Sequence, residues 1–191
     1  MNATPDPRPL YHRALDQTGE VVAAIKPDQL GLSTPCSEYE VQALLGHVLG
    51  GLRRAVVIAS GGDPLAVSMT TEMPADGWAG AYRRVRAEAE QAWADDAALE
   101  RMVTVPWGTV PGRAALFGYI QEVTIHGWDL AKATGRPTEL DPELGAAVLG
   151  MVKQFIPAQP RGAPVPFGPV IEVPPTAGVY AQLAGWLGRQ P

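Results

Sequence analysis

The sequence predicts a mainly α protein, a four-helix bundle with short accessory strands and a C-terminal helix. Long stretches repeat apolar residues at helical spacing and are separated by clusters of proline and glycine. One of them, Gly118 to Gly135, is apolar on nearly every side, as expected of a helix at the centre of a bundle. The chain of 191 residues fits one domain, long enough to bury a core without disulfides or structural metals.

Residues 1–8 read as a loose lead-in. From about Pro9 to Ile25 a first helix follows, with Leu15, Val21, Val22 and Ile25 on its buried side. Lys26 to Cys36 contains Pro27, Gly31 and Pro35 and reads as a loop. Ser37-Glu38-Tyr39-Glu40 has the spelling of a capping box, so the second helix is expected to start there and run to about Ala59, where Gly61-Gly62-Asp63-Pro64 ends it. After a polar connector, Trp78, Tyr82, Val85, Ala89 and Trp93 recur at helical spacing and define a third helix.

Asp95-Asp96 can cap a short further turn, and Met102 to Pro106 resembles a strand. The central helix begins after Pro111-Gly112 and stops at Gly135, with Pro137 two residues beyond. Asp141-Pro142-Glu143 is a cap followed by proline at the first helical position, and opens a helix to about Ile156. Pro169 to Pro174 is expected as a second short strand beside Met102 to Val105, and Thr176 as the cap of a last helix ending at Leu187.

The charge balance, 15 basic against 20 acidic residues, gives −5 and argues against a nucleic-acid surface. The single cysteine, Cys36, cannot form an intrachain disulfide, the N-terminus has no signal-peptide pattern, and no membrane-spanning stretch is expected. These features place the expected compartment in the cytoplasm. A homodimer is left open.

The chemistry is concentrated in the central helix. At about 100° per residue, Glu122, His126 and Asp129 fall within about 60° of one another on an otherwise apolar helix. Polar groups that lose water on folding must find partners. A carboxylate and an imidazole at i and i+4 satisfy each other equally well as a structural pair or as two metal ligands.

His47, on the flank of the second helix, supplies a third ligand for a divalent ion. Gly50 and Gly51, three and four residues on, let another backbone or a ligand approach; a tight helix crossing accounts for them as well. Two histidines and one carboxylate leave zinc one position short of its tetrahedron, open to water or substrate. Asp129 is then a fourth ligand, a cap-side acid, or, as the preferred reading, an acceptor that orients an imidazole. Arg54 shares the His47 face and is either solvated or placed to meet an anionic substrate group. His12 reads as a surface residue and Cys36 as a small loop-packing residue.

With those residues in place, the chain resembles the DinB-like superfamily and, within it, the metal-binding domain of mycothiol-dependent maleylpyruvate isomerase. The segments that carry the resemblance are Thr34 to His47, Glu122 to Ala131 and Phe167 to Pro174. It implies a four-helix bundle and a divalent metal, usually zinc and sometimes nickel, on His47, Glu122 and His126. It also implies a low-molecular-weight thiol such as mycothiol as co-substrate. The chain is expected to lack the second, C-terminal domain of the isomerase, so the resemblance does not carry maleylpyruvate itself over.

Two functions of different class follow. One is a metal-dependent thiol transferase or isomerase, whose partners are a small-molecule electrophile and a thiol. The other is a non-catalytic metal- or ligand-binding protein with a closed structural or sensing site. The number of protein ligands on the ion separates them.

Overall fold

The helical periodicities resolve into seven helices and one two-stranded sheet among the described residues, 5–136, 140–161 and 167–191, of a computed structural model. The helices are α1 (Arg8–Ala24), α2 (Val41–Ala59), α3 (Gly77–Ala92), α4 (Asp96–Glu100), α5 (Gly112–Ala133), α6 (Pro142–Phe155) and α7 (Val179–Trp186). The strands are β1 (Met102–Val105) and β2 (Gly108–Pro111). Helices α1, α2, α3 and α5 form the bundle: α5 packs on α1 and α2, and α3 closes the other side against the same two. Outside this ring, α6 and α7 pack on each other and against α5.

The central position of α5 follows from its composition. An unbroken run from Tyr119 to Ala131 is buried except for a half-buried Glu122. Close approach to α1 requires Gly127, because a Cβ there would stand 2.5 Å from Thr18 Oγ1. The Thr18 hydroxyl donates to the Val123 carbonyl at 3.0 Å, so the crossing also satisfies a buried hydroxyl. Leu15, Leu44, Leu45, Leu49, Ile58, Tyr82, Trp93, Leu116, Ile120 and Leu130 fill the space between the four helices.

Helix ends depart from expectation at two places. Ser37 does not cap α2; the N-cap is Glu40, with no side-chain cap hydrogen bond. The preceding segment is instead folded back on itself by a bridge between Ser33 and Glu40, and the Thr34 hydroxyl donates to the carbonyls of Cys36 and Tyr39. At the other end of the chain, Gly178 rather than Thr176 precedes α7, again without a side-chain cap. Asp95 and Asp141 do cap α4 and α6, accepting from Ala97 N, and from Glu143 N and Leu144 N. Just past the end of α5 stands Gly135, whose φ of +80° allows Arg136 N to donate back to Ala131 O. Pro137 lies outside the described residues.

The strand at Met102–Val105 forms, but its partner is β2, in register Met102↔Pro111 and Val105↔Gly108, and not Pro169–Pro174. A hairpin closes a few residues apart, whereas pairing with a segment far along the chain costs more loop entropy. Residues 170–174 run without regular structure, and Ile171 N donates to Gly185 O at the end of α7. Helix α2 is long and apolar enough by composition to cross a membrane, and more than half of it is buried in the protein core.

Candidate metal centre

Helices α2 and α5 bring three donors to one point. His126 Nε2 lies 3.1 Å from Glu122 Oε2, one turn apart on α5, and His47 Nε2 reaches the same carboxylate oxygen from α2 at 3.9 Å. All three donor atoms lie within 4.8 Å of one another. A tetrahedral ion with bonds of about 2.0–2.2 Å spaces its ligand atoms by about 3.3 Å, a value these two separations bracket, so the set fits one small divalent cation. The two histidine side chains are 14 % and 7 % exposed and that of Glu122 is 38 %, so the centre opens to solvent past the carboxylate.

The two imidazoles are held differently. His126 Nδ1 is 3.0 Å from Asp129 Oδ2, and Asp129 is fully buried. This arrangement directs Nε2 at Glu122. His47 Nδ1 is buried with no hydrogen-bond partner among the described residues. The ring of Tyr39 covers that imidazole, with centroids 4.9 Å apart and planes 30° apart, and His126 meets it edge-on at 4.9 Å. Sequence reasoning did not single out Tyr39, because its partner is set by the fold of the Ser33–Glu40 segment.

Charge is balanced inside this cluster. Burial alone works against an ionised Glu122, yet hydrogen bonds and charge from His126 and His47 outweigh it and hold the carboxyl well below the usual carboxylate range. Burial likewise works against a charged His126, and Asp129 and Glu122 overcome it and raise its pKa.

The cleft above the donors is lined by His47, Val48, Gly51, Leu52, Tyr119, Glu122, Val123 and His126. Its free space is about 20 Å³, room for a group the size of one water. The paired glycines of α2 divide two tasks. A Cβ on Gly50 would lie 2.5 Å from backbone atoms of Met69, and one on Gly46 would lie 2.5 Å from Thr71 O, so these two seat the connector across the helix. Gly51 faces the cleft, and a Cβ there would meet nothing within 4 Å.

Arg54 is half-buried rather than solvated. Its Nε donates to the Val67 carbonyl at 2.9 Å. Its charge also reaches Tyr119, whose phenol is nonetheless pushed up, chiefly by burial. His12 is exposed on α1, as its sequence context indicates. Cys36 is half-buried in the loop before α2; its Sγ, a His126 ring nitrogen and an Asp129 oxygen lie within 4.8 Å of one another, and burial pushes the thiol up. This second group does not fit a cation, because Arg189 Nε already occupies both Asp129 oxygens at 2.9 and 3.0 Å.

Comparison with known proteins agrees with this architecture. Residues 11–131 match the family model described as mycothiol maleylpyruvate isomerase N-terminal domain. An uncharacterized protein of Mycobacterium tuberculosis, found alike in strains CDC 1551/Oshkosh and H37Rv, is 34 % identical over 186 residues, covering 96 % of this chain and 98 % of its own. The crystal structure of the mycothiol-dependent maleylpyruvate isomerase superposes with a TM-score of 0.59 at 15 % identity, over 76 % of this chain and 68 % of that one. A histidine-to-alanine variant of that isomerase superposes at 0.65 and 16 % identity, over 83 % and 74 %. The two structures share the DinB-like helical fold with this protein. By the extent of the family match and the full-length similarity of the mycobacterial relative, the chain belongs to the mycothiol maleylpyruvate isomerase N-terminal domain family.

Proposed function

We propose that this protein is a metal-dependent transferase or isomerase acting in the cytoplasm. His47, Glu122 and His126 hold one divalent ion, zinc by donor type with nickel as the alternative, and a low-molecular-weight thiol such as mycothiol is the co-substrate. The observation that carries this reading is the convergence of one carboxylate and two imidazoles from two helices at the foot of an open-sided cleft. Membership of a mycothiol-related family supports the thiol.

A divalent ion bound there supplies a Lewis acid that favours thiolate over thiol, which at a free pKa of about 8.5 is mostly protonated at neutral pH. The remaining work falls to the chain. Glu122 contributes a single negative charge against a doubly charged ion, so the centre keeps net positive charge for an incoming thiolate. Asp129 fixes the ring of His126. Val48, Leu52, Tyr119 and Val123 exclude water from the inner wall, and Gly51 leaves the gap through which a sulfur approaches. Arg54, whose Nε is committed to Val67, has its terminal nitrogens for an anionic group of the electrophile.

The test is to incubate metal-loaded protein with mycothiol, and separately with other common thiols, and to follow consumption of model electrophiles against a His126→Ala control. A thiol-dependent change in the visible spectrum of cobalt-substituted protein, with turnover above the control, supports the assignment. Neither effect with any thiol refutes it. The small free volume favours the second reading, a non-catalytic metal- or ligand-binding protein. In that case no exchangeable ligand position is found on the ion.

A further inference from the structure

We propose that Arg189, the third residue from the C-terminal end of the sequence, is a positioning residue of the metal centre that acts through Asp129 on His126. The inference rests on the metal reading above and goes beyond the donor set and its orienting acid.

The local sequence explains how a terminal arginine reaches the core. Helix α7 ends in a motif in which Gly188, at φ +79°, donates to Gly185 O and Arg189 N donates to Ala184 O. The left-handed turn at Gly188 sends the chain back toward the bundle. A side chain is also excluded there by contact, since a Cβ would stand 2.9 Å from Gly168 O. Arg161 donates to Trp186 O, and Ile171 N to Gly185 O, so the last turn is held from both sides.

Arg189 is delivered with its side chain 11 % exposed. Its Nε meets Asp129 Oδ1 and Oδ2 at 2.9 and 3.0 Å, and Oδ2 is the atom 3.0 Å from His126 Nδ1. A fully buried carboxylate with one imidazole partner is under-compensated, and the guanidinium supplies the missing charge and donors. The arginine therefore keeps Asp129 an acceptor in a fixed orientation. That acceptor fixes the ring of His126, and with it the direction of Nε2 toward Glu122. Arg189 touches neither ion nor substrate in this scheme.

A double-mutant cycle separates this role from a merely structural one. Cobalt(II) affinity is measured by visible absorption at one fixed pH for wild type, Arg189→Met, Asp129→Asn and the double variant. Partners of this kind are worth about ten- to a hundredfold in metal affinity. Arg189→Met is expected to weaken cobalt binding by that factor in the wild-type background and by less than about twofold beside Asp129→Asn. Equal losses in both backgrounds, or none in either, overturn the proposal.

Arg189→Lys keeps the charge and covers the case in which Arg189→Met does not fold; an intermediate loss is expected, and wild-type affinity for the lysine variant counts against the proposal. If wild-type protein binds no stoichiometric cobalt, the metal reading fails by itself. The relay is then read in metal-free protein as a slowly exchanging His126 Nδ1–H proton resonance that broadens in Arg189→Met, or Arg189→Lys where that variant does not fold; an unchanged resonance overturns it.

Discussion

His47 Nε2 stands 3.9 Å from Glu122 Oε2, across the junction of α2 and α5, and His126 Nε2 closes on the same oxygen. Under the proposed function, these three groups hold one divalent ion between them. Replacing His47 or His126 by alanine is therefore expected to remove stoichiometric divalent metal, measured by elemental analysis of the purified protein. Metal content unchanged in both variants would exclude these residues as ligands.

Chelation addresses a different question, whether the fold depends on the ion. The bundle buries its core without help from the centre, with Trp93, Tyr11 and Tyr82 among its largest fully buried side chains, so metal-free protein should keep its helical circular dichroism at room temperature. An ion held as proposed binds only the native state, so its removal is expected to lower stability by about 2.7 kcal/mol relative to a metal concentration of about 100 Kd. For a domain of this length that corresponds to a fall in Tm of about 5–10 °C. Collapse of the helical signal on chelation would point to a structural ion.

The metal-free cluster also sets a pH window. Glu122 has its pKa lowered from 4.5, so its contribution is present above that unfolded value and is lost as pH falls through the folded one. His126 has its pKa raised from 6.5, so its contribution is present below 6.5 and is lost as pH rises through the folded value. Both contributions coincide between 4.5 and 6.5, and urea unfolding of metal-free protein should show its maximum from this cluster there. In a Glu122→Gln, His126→Gln double variant the maximum should flatten. A window that survives the double substitution would assign it to other groups.

Much of the centre is legible in the sequence because helical periodicity is a local rule. Glu122, His126 and Asp129 interrupt an apolar helix on one face, and no other part of the chain is needed to see that they face inward together. What is not legible depends on tertiary placement. Ser37 and Glu40 have the right spacing for a capping box, but the Ser33–Glu40 bridge and the Thr34 hydroxyl fold that segment back and leave Glu40 as the cap. The same fold puts Tyr39 over His47 and Cys36 beside Asp129, contacts without any sequence period. Arg189 looks like an ordinary surface residue near a chain end, and only the turn at Gly188 reveals its partner. The hairpin is less legible because Gly108 to Pro111 is only four residues long and offers Thr109 and Val110 alone as β-branched residues, whereas Pro169 to Pro174 encloses Val170, Ile171 and Val173.

The adjacent glycines of α2 give a prediction in which two single-methyl changes differ in sign. Gly50→Ala puts a Cβ 2.5 Å from the Met69 backbone, a contact that cannot be relieved by a side-chain rotation. The connector must shift, at a cost of about 1–3 kcal/mol, typical of overpacking. Gly51→Ala meets nothing within 4 Å and should gain up to about 1 kcal/mol in helix propensity. Urea denaturation should therefore rank Gly51→Ala at or above wild type and Gly50→Ala below it. Because Gly51 lines the cleft and Gly50 does not, a large residue separates binding of the ion from access to it. Gly51→Phe should retain stoichiometric metal while abolishing the thiol-dependent change in the cobalt spectrum. If Gly51→Phe instead responds to thiol as wild type does, the approach to the ion lies elsewhere, past the exposed edge of Glu122.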